Sequence, residues 1–263
     1  MKSHIIKSIK AKNLRLIGEK NRPLPMLTFR IVLVEPLYSG NVGSVARVMK
    51  NFGFEDLVLL SPCELDRPAH LMAVHAYDII EKARIEFSLK DALKGSSIIV
   101  GMTGLPGKTD NKHFRIPAYS PKQLKDKLAG NSGVVSLVFG REDAGLRNEE
   151  LEICNIIVNI PTSPIYPSMN LSHAVAIVLY ELGDVESGLR YLAQDSDIRL
   201  LYEHIDEVLD DVEYKEHKED KTKLMLRRIF GRCELTAREV QTMRGILRRI
   251  QWKLKTGEYG KSD

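Results

Sequence analysis

The chain has 263 residues, 43% hydrophobic and 28% charged, enough apolar material for one substantial core plus an appendage. Cys63, Cys154 and Cys233 are far apart with no CxxC pair, and the seven histidines show no HExxH or HxxxH spacing, which argues against disulfides and a bound metal. No apolar run approaches a membrane span and no P-loop motif occurs, so a cytoplasmic, non-membrane protein is expected, and the net charge of +4 gains meaning only when mapped along the chain.

Residues 1–25 carry seven Lys and Arg against one acid, Glu19. Ile5-Ile6 and the run from Leu14 to Ile17 are too short for a secretory segment. Residues 1–26 read as a basic, poorly ordered arm. It is a transit peptide, an arm that touches nucleic acid, or an extension without function, and Met26 is a credible alternative start.

From Thr28 short apolar runs alternate with helical patterns. Strands are expected at 29–34, 57–60, 97–101, 134–139 and 156–160, with a weaker one at 85–87. They are rich in Val, Ile and Leu with little alternation, as parallel strands covered on both faces should be. Helices are expected at 42–52, 69–82, 121–128 and 148–154. This order predicts an α/β domain with a mostly parallel sheet, spanning 27–183. Ligands in such sheets sit outside the carboxyl ends of strands, so the loops after Val34, Gly101, Phe139 and Ile160 are the places to look.

After Leu182 strand signals stop. Residues 201–220 hold nine acids against two lysines, and 221–255 hold eleven Lys and Arg against Glu234 and Glu239. Thr236-x-x-Glu239 is a capping box opening a helix whose stripe is Val240, Met243, Leu247, Ile250 and Leu254. Arg244, Arg248, Arg249 and Lys253 lie off that stripe. Residues 184–263 are read as a small helical extension. Its basic helix either meets phosphates or is a solvated face balanced by the acidic helix before it.

Four constellations fall at expected strand ends. Asn41 opens a helix, where it can cap the first turn and where the dipole favours an anion; Arg47 follows on the polar face, and Gly40 and Gly43 allow close backbone approach. Phe139-Gly140-Arg141-Glu142-Asp143-Ala144-Gly145-Leu146 places carboxylates that can accept from a ligand, pair with Arg141 or cap the next helix. Gly101-Met102-Thr103-Gly104 suits a backbone cradle. In 162–181, Pro164 and Pro167 stiffen a loop that ends in Ser168-Met169-Asn170, with Asn170 as N-cap of a buried helix. That stretch is either a ligand loop or a plain connection.

The order of three motifs resembles the SPOUT-class RNA 2′-O-methyltransferases of the SpoU/TrmH superfamily. They are N-x-G-S-x-A-R-x-x-x-x-F-G from Asn41, F-G-R-E-x-x-G-L from Phe139 and I-P-x-x-P-x-Y-x-S-x-N-L from Ile160. The tail, from Phe230-Gly231-Arg232 to Arg248, is similar to the C-terminal extension of TrmJ-type tRNA methyltransferases. The resemblance implies a fold whose C-terminal segment forms a deep trefoil knot. It also implies S-adenosyl-L-methionine as cofactor and a homodimer with a composite active site. Cofactor contacts would come from Met102, Thr103, Gly104, Gly140, Ile160, Ser168, Met169 and Asn170. Asn41, Arg47, Glu142 and Ser168 would serve catalysis, and Arg47, Arg141, Arg244 and Arg248 would meet RNA. The implied substrate is a tRNA ribose in the anticodon loop. A ribosomal RNA ribose and a non-catalytic RNA-binding protein of the same fold stay open beside it.

Overall fold

The computed structural model describes residues 26–104, 118–186, 188, 190–214 and 216–256. The basic arm expected at 1–25 lies outside the described residues. Eight strands form one sheet: β1 (Leu27–Val34), β2 (Asp56–Leu60), β3 (Arg84–Glu86), β4 (Ile98–Thr103), β5 (Ala118–Tyr119), β6 (Asn131–Phe139), β7 (Ile156–Asn159) and β8 (Arg190–Tyr191). Their order is β3-β2-β1-β6-β4-β7-β5, with β8 paired to the start of β6, and every pair is parallel. The helices are α1 (Ser39–Phe52), α2 (Arg67–Ala73), α3 (Tyr77–Glu81), α4 (Leu89–Ala92), α5 (Pro121–Leu128), α6 (Asn148–Glu152), α7 (Leu171–Leu182), α8 (Asp195–Asp211), α9 (Glu216–Arg232) and α10 (Ala237–Thr256).

The sheet is buried on both faces, which is why its strands lack a polar alternation. Successive side chains still point to opposite sides. Ile31 and Leu33 join a core with Val45, Met49, Leu124, Val175 and Leu179. Val32 and Val34 join a second core with Ala92, Leu93, Leu146 and Leu151. The α/β class and the mostly parallel sheet expected from the sequence are therefore present. Pairing of Leu33 with Phe139 and of Thr103 with Asn159 brings the carboxyl ends of β1, β6, β4 and β7 to one edge.

Several local expectations change. Helix α1 starts at Ser39, whose hydroxyl donates to the Asp66 carboxylate, and the cap position is Tyr38, without a side-chain cap bond. Asn41 therefore lies inside the helix and caps nothing. The single helix expected at 69–82 is broken at Val74 (φ 53°) into α2, a 3₁₀ turn at Val74–Ala76 and α3. Strand signals do not end at Leu182 either, since β8 extends the sheet through Asn131 and Ser132. Beyond it, Ala193, Ile198, Leu201, Ile205 and Val240 form a separate small core between α8 and α10. The Asp195 N–H donates to the Ser96 carbonyl at 2.6 Å, tying that core back to the sheet domain.

Gly43 is a packing residue. A Cβ there would sit 2.2 Å from the Ala69 carbonyl oxygen, because α2 crosses α1 backbone to backbone. Gly40 has ordinary room, with Met72 Cγ 3.7 Å away. Gly43→Ala is expected to cost about 1–3 kcal/mol by overpacking, and Gly40→Ala much less. Thermal unfolding of the two variants checks this order.

Candidate active site

A cavity opens at the carboxyl edge of the sheet. It is lined by Met102, Thr103 and Gly104 after β4, the 139–146 loop after β6, Val158 and Ile160 of the β7 exit, Thr162, Pro167, Ser168 and Met169 of the proline-rich loop, and Leu171 and Ala174 of α7. Asn159 Nδ2 donates to the Thr103 carbonyl at 2.8 Å, holding two of these loops together. A second, more polar cleft lies beside it, lined by Tyr38, Asn41, Glu142, Tyr166, Ser168, Met169, Asn170 and His173. Glu142, Ser168 and Met169 line both, so the two spaces meet at these residues.

A directed hydrogen-bond chain crosses the junction. Asn170 caps α7: its Oδ1 accepts from the Ser172 N–H at 2.9 Å and from the Ser172 hydroxyl at 2.7 Å. That fixes which way its amide points, and its Nδ2 donates to Asn41 Oδ1 at 3.0 Å. Asn41 Nδ2 in turn donates to Glu142 Oε1 at 2.8 Å, and the Leu37 N–H donates to Glu142 Oε2 at 2.9 Å. The carboxylate is thus held by one donor per oxygen, with lone pairs left for a hydroxyl. The α7 cap in this way orients a carboxylate at the mouth of both cavities.

Arg141, expected to touch RNA, lines the apolar cavity but is largely enclosed by carboxylates. Only 5% of its side chain is exposed, and its guanidinium forks onto Glu150 at 2.8 and 3.1 Å and onto Glu35 at 2.7 Å. It also donates to the Gly145 carbonyl, and the backbones of Arg141 and Gly145 are mutually bonded. The loop folds so tightly that a Cβ on Gly140 would lie 2.1 Å from the Gly145 carbonyl carbon. Gly140 therefore lines the cavity mainly because it closes this loop. Glu35 itself adopts a left-handed φ of 44°, strained for a residue with a side chain. Hydrogen bonding to Arg141 holds the Glu35 carboxyl below its ordinary range, against a smaller opposing effect of burial. For Glu150 burial pushes upward, but the Arg141 fork, the Arg147 N–H and nearby charge together keep it low.

Of the residues expected to hold a cofactor, Met102, Thr103, Gly104, Gly140, Ile160, Ser168 and Met169 share the apolar cavity, while Asn170 lies in the adjoining cleft. The cavity combines aliphatic walls with backbone donors: among the described residues, none accepts from the N–H of Ser168 or Met169. Arg47 is exposed on α1, lines neither cavity of its own chain and bonds to no described side chain. Arg248 is exposed, but Arg244 is half-buried with its Nε enclosed. Tyr38 and His173 reach the polar cleft without having been singled out, and Tyr166, the tyrosine of the third motif, reaches it too. Tyr38 and His173 have only position as a sequence signal, three residues before Asn41 and three after Asn170.

Residues 28–180 match the profile of the SpoU rRNA Methylase family. The chain belongs to the SpoU methylase family. Residues 196–259 of this SpoU-family chain further match the C-terminal domain of the tRNA methyltransferase TrmJ. It is 38% identical over 226 residues to the tRNA (cytidine-2′-O-)-methyltransferase TrmJ of Methanocaldococcus jannaschii, covering 83% of this chain and 97% of that protein. It is 32% identical to the tRNA (cytidine/uridine/adenosine-2′-O-)-methyltransferase TrmJ of Pseudomonas aeruginosa, covering 89% and 98%. The crystal structure of TrmJ from Z. mobilis ZM4 superposes with a TM-score of 0.70 at 25% identity, over 84% of this SpoU-family chain and 98% of that one.

Proposed function

We propose that this chain is an S-adenosyl-L-methionine-dependent tRNA 2′-O-methyltransferase that modifies a ribose in the anticodon loop. The observation that carries the reading is the meeting of an apolar, backbone-lined cavity and a polar cleft at Glu142, Ser168 and Met169. One space suits a methyl donor and the other a nucleotide. The names of the relatives supply the substrate class.

When bound, S-adenosyl-L-methionine supplies an activated methyl group on a sulfonium. The chain's own tasks are then alignment and proton handling. Met102 to Gly104, Ile160 and the N–H groups of Ser168 and Met169 would hold the cofactor. Glu142, steadied by Asn41 and the Leu37 N–H, would accept from the ribose 2′-hydroxyl and orient its oxygen. Ser168, present in both cavities, would keep the two substrates in register. Arg47 offers a planar fork of N–H donors, so its role is to bind phosphate and developing negative charge.

Arg47 is exposed and lines neither cavity of its own chain, so the site is read as composite, completed by a second copy. The exposed edge-to-face pair Phe52–Tyr180, with ring centres 6.2 Å apart, joins α1 to α7 and marks the surface where that copy would pack. The proline-rich loop and α7 are read as the trefoil knot of the family, with the prolines keeping Ser168-Met169-Asn170 rigid before the cofactor arrives. The exposed Arg248 and its neighbours on α10 are read as RNA contacts, and the substrate implies a cytoplasmic site of action. Among the described residues, no helix is long and apolar enough to cross a membrane.

The test is incubation of the chain with total tRNA and methyl-labelled cofactor, followed by mapping of 2′-O-methyl positions, with cofactor binding measured by calorimetry. Label at an anticodon-loop ribose is expected. Label on ribosomal RNA instead would change the substrate, and absence of cofactor binding would overturn the enzymatic reading.

A further inference from the structure

Helix α10 carries six Lys and Arg against one acid, Glu239, and that acid is engaged at the helix start, where it accepts from the Thr236 N–H and hydroxyl. The inner face, Val240, Met243 and Leu247, packs onto Ile198, Leu201 and Ile205. The outer face presents Arg248, Arg249, Lys253 and Lys255, none of which pairs with an acid among the described residues. Trp252, the one tryptophan of the chain, stands in this face 42% exposed, and the Arg249 guanidinium lies 4.1 Å from its ring centre. An exposed indole with a guanidinium over one ring face is a surface on which unpaired bases stack.

A second observation points to the same place. Gly245 lies two helical turns before Trp252 on the same face. Glycine is a poor residue in the middle of a helix, and here the fold does not require it, because a Cβ at Gly245 would meet nothing within 4 Å. The result is a bare notch in the helix surface, bordered by Arg248 and Arg249. A notch of this kind admits close approach by something outside the chain. The surrounding charge is positive, so a polyanion complements it better than a protein surface, although Ile246 and Ile250 are also exposed nearby.

We propose that Gly245, Arg248, Arg249 and Trp252 form a single-stranded RNA contact. An unpaired nucleobase of the tRNA stacks on Trp252 beside Arg249, and the adjoining sugar–phosphate backbone seats against Gly245 under Arg248. The inference rests on the tRNA methyltransferase reading above and deepens it: this face positions substrate at a distance from the chemistry.

The test uses the full chain, unmodified tRNA transcript and saturating cofactor. Trp252→Ala is expected to raise KM for tRNA roughly tenfold with kcat unchanged, the size of one lost base stack, and Trp252→Phe to recover most of it. Gly245→Ala is expected to shift two readouts in opposite directions, raising Tm by about 2–4 °C while also raising KM. Trp252 is the one tryptophan, so quenching of tryptophan fluorescence, excited selectively over tyrosine, by tRNA and by a short single-stranded oligoribonucleotide is expected. An unchanged KM in either variant, while the native chain methylates tRNA, overturns the proposal. A loss of dimer in sedimentation with Trp252→Ala also overturns it, in favour of a protein interface. A native chain that methylates no tRNA defeats the underlying reading instead.

Discussion

Arg141→Ala is expected to destabilise the chain by about 3–5 kcal/mol, the range for removing one partner of a buried ion pair. The loss should exceed that of any other single arginine in the 139–147 loop. Two carboxylates would remain: Glu150, whose side chain is 13% exposed, and Glu35, which sits in a strained backbone position. The loop hydrogen bond from Arg141 to the Gly145 carbonyl would go as well. Arg141→Lys should recover little, because an ammonium cannot fork onto Glu150 and reach Glu35 at once.

Titration gives the variant a signature. In the native chain Glu35 and Glu150 are held below their ordinary values, so their contribution is present above an unfolded pKa of roughly 4.3 and is lost as pH falls through the folded values. Without Arg141, burial still pushes Glu150 upward and only the Arg147 N–H and charge oppose it, so the variant is relieved by acid. The Tm gap between native and variant should be widest near neutral pH and narrow below a pH of about 4. A gap independent of pH would show that Arg141 acts by packing alone.

Arg47→Ala is expected to lower kcat by roughly 10²–10³-fold with little change in Tm, because the residue is exposed and bonds to no described side chain. Arg47→Lys should stay far below the native rate if a forked guanidinium holds phosphate and developing charge together. Near-native turnover by the lysine variant would remove that role. Complementation tests where Arg47 acts. Asn41→Ala should also be inactive, because Glu142 then keeps only the Leu37 N–H of the two donors that orient it. Mixing the two inactive variants with exchange of subunits is expected to restore about a quarter of native sites, since half the dimers are mixed and each holds one intact site. No recovery would place Arg47 and Asn41 in the same subunit's site.

Much of the candidate site was legible because its residues cluster at strand ends, and strand ends are visible as the close of an apolar run. Seven of the eight expected cofactor contacts share one cavity for this reason. Neighbours within a motif were harder to separate. Arg141 and Glu142 are adjacent and equally polar, yet one has its guanidinium tied to Glu35 and Glu150 at the apolar cavity while the other reaches both cavities. Backbone direction at that loop decides the difference, and it depends on Gly145 folding back over Gly140. Asn41 was misplaced for a similar reason. Its type suits a cap, but α1 starts two residues earlier, at Ser39, with the Asn41 side chain turned to Glu142 and Asn170 instead.

Local patterning alone determined the α/β class, the strand cores and the Asn170 cap of α7, because runs of Val, Ile and Leu and a side chain that reaches its own helix act over a few residues. The motif order identified the kind of catalyst. Tertiary structure decided the strand order, the insertion of Arg190–Tyr191 beside β6, the break at Val74 and the burial of Arg141. It also joined Asn170, Asn41 and Glu142 into one chain of hydrogen bonds across more than a hundred residues of sequence. Such links depend on which surfaces the whole sheet brings within about 3 Å, and no short-range pattern encodes that distance.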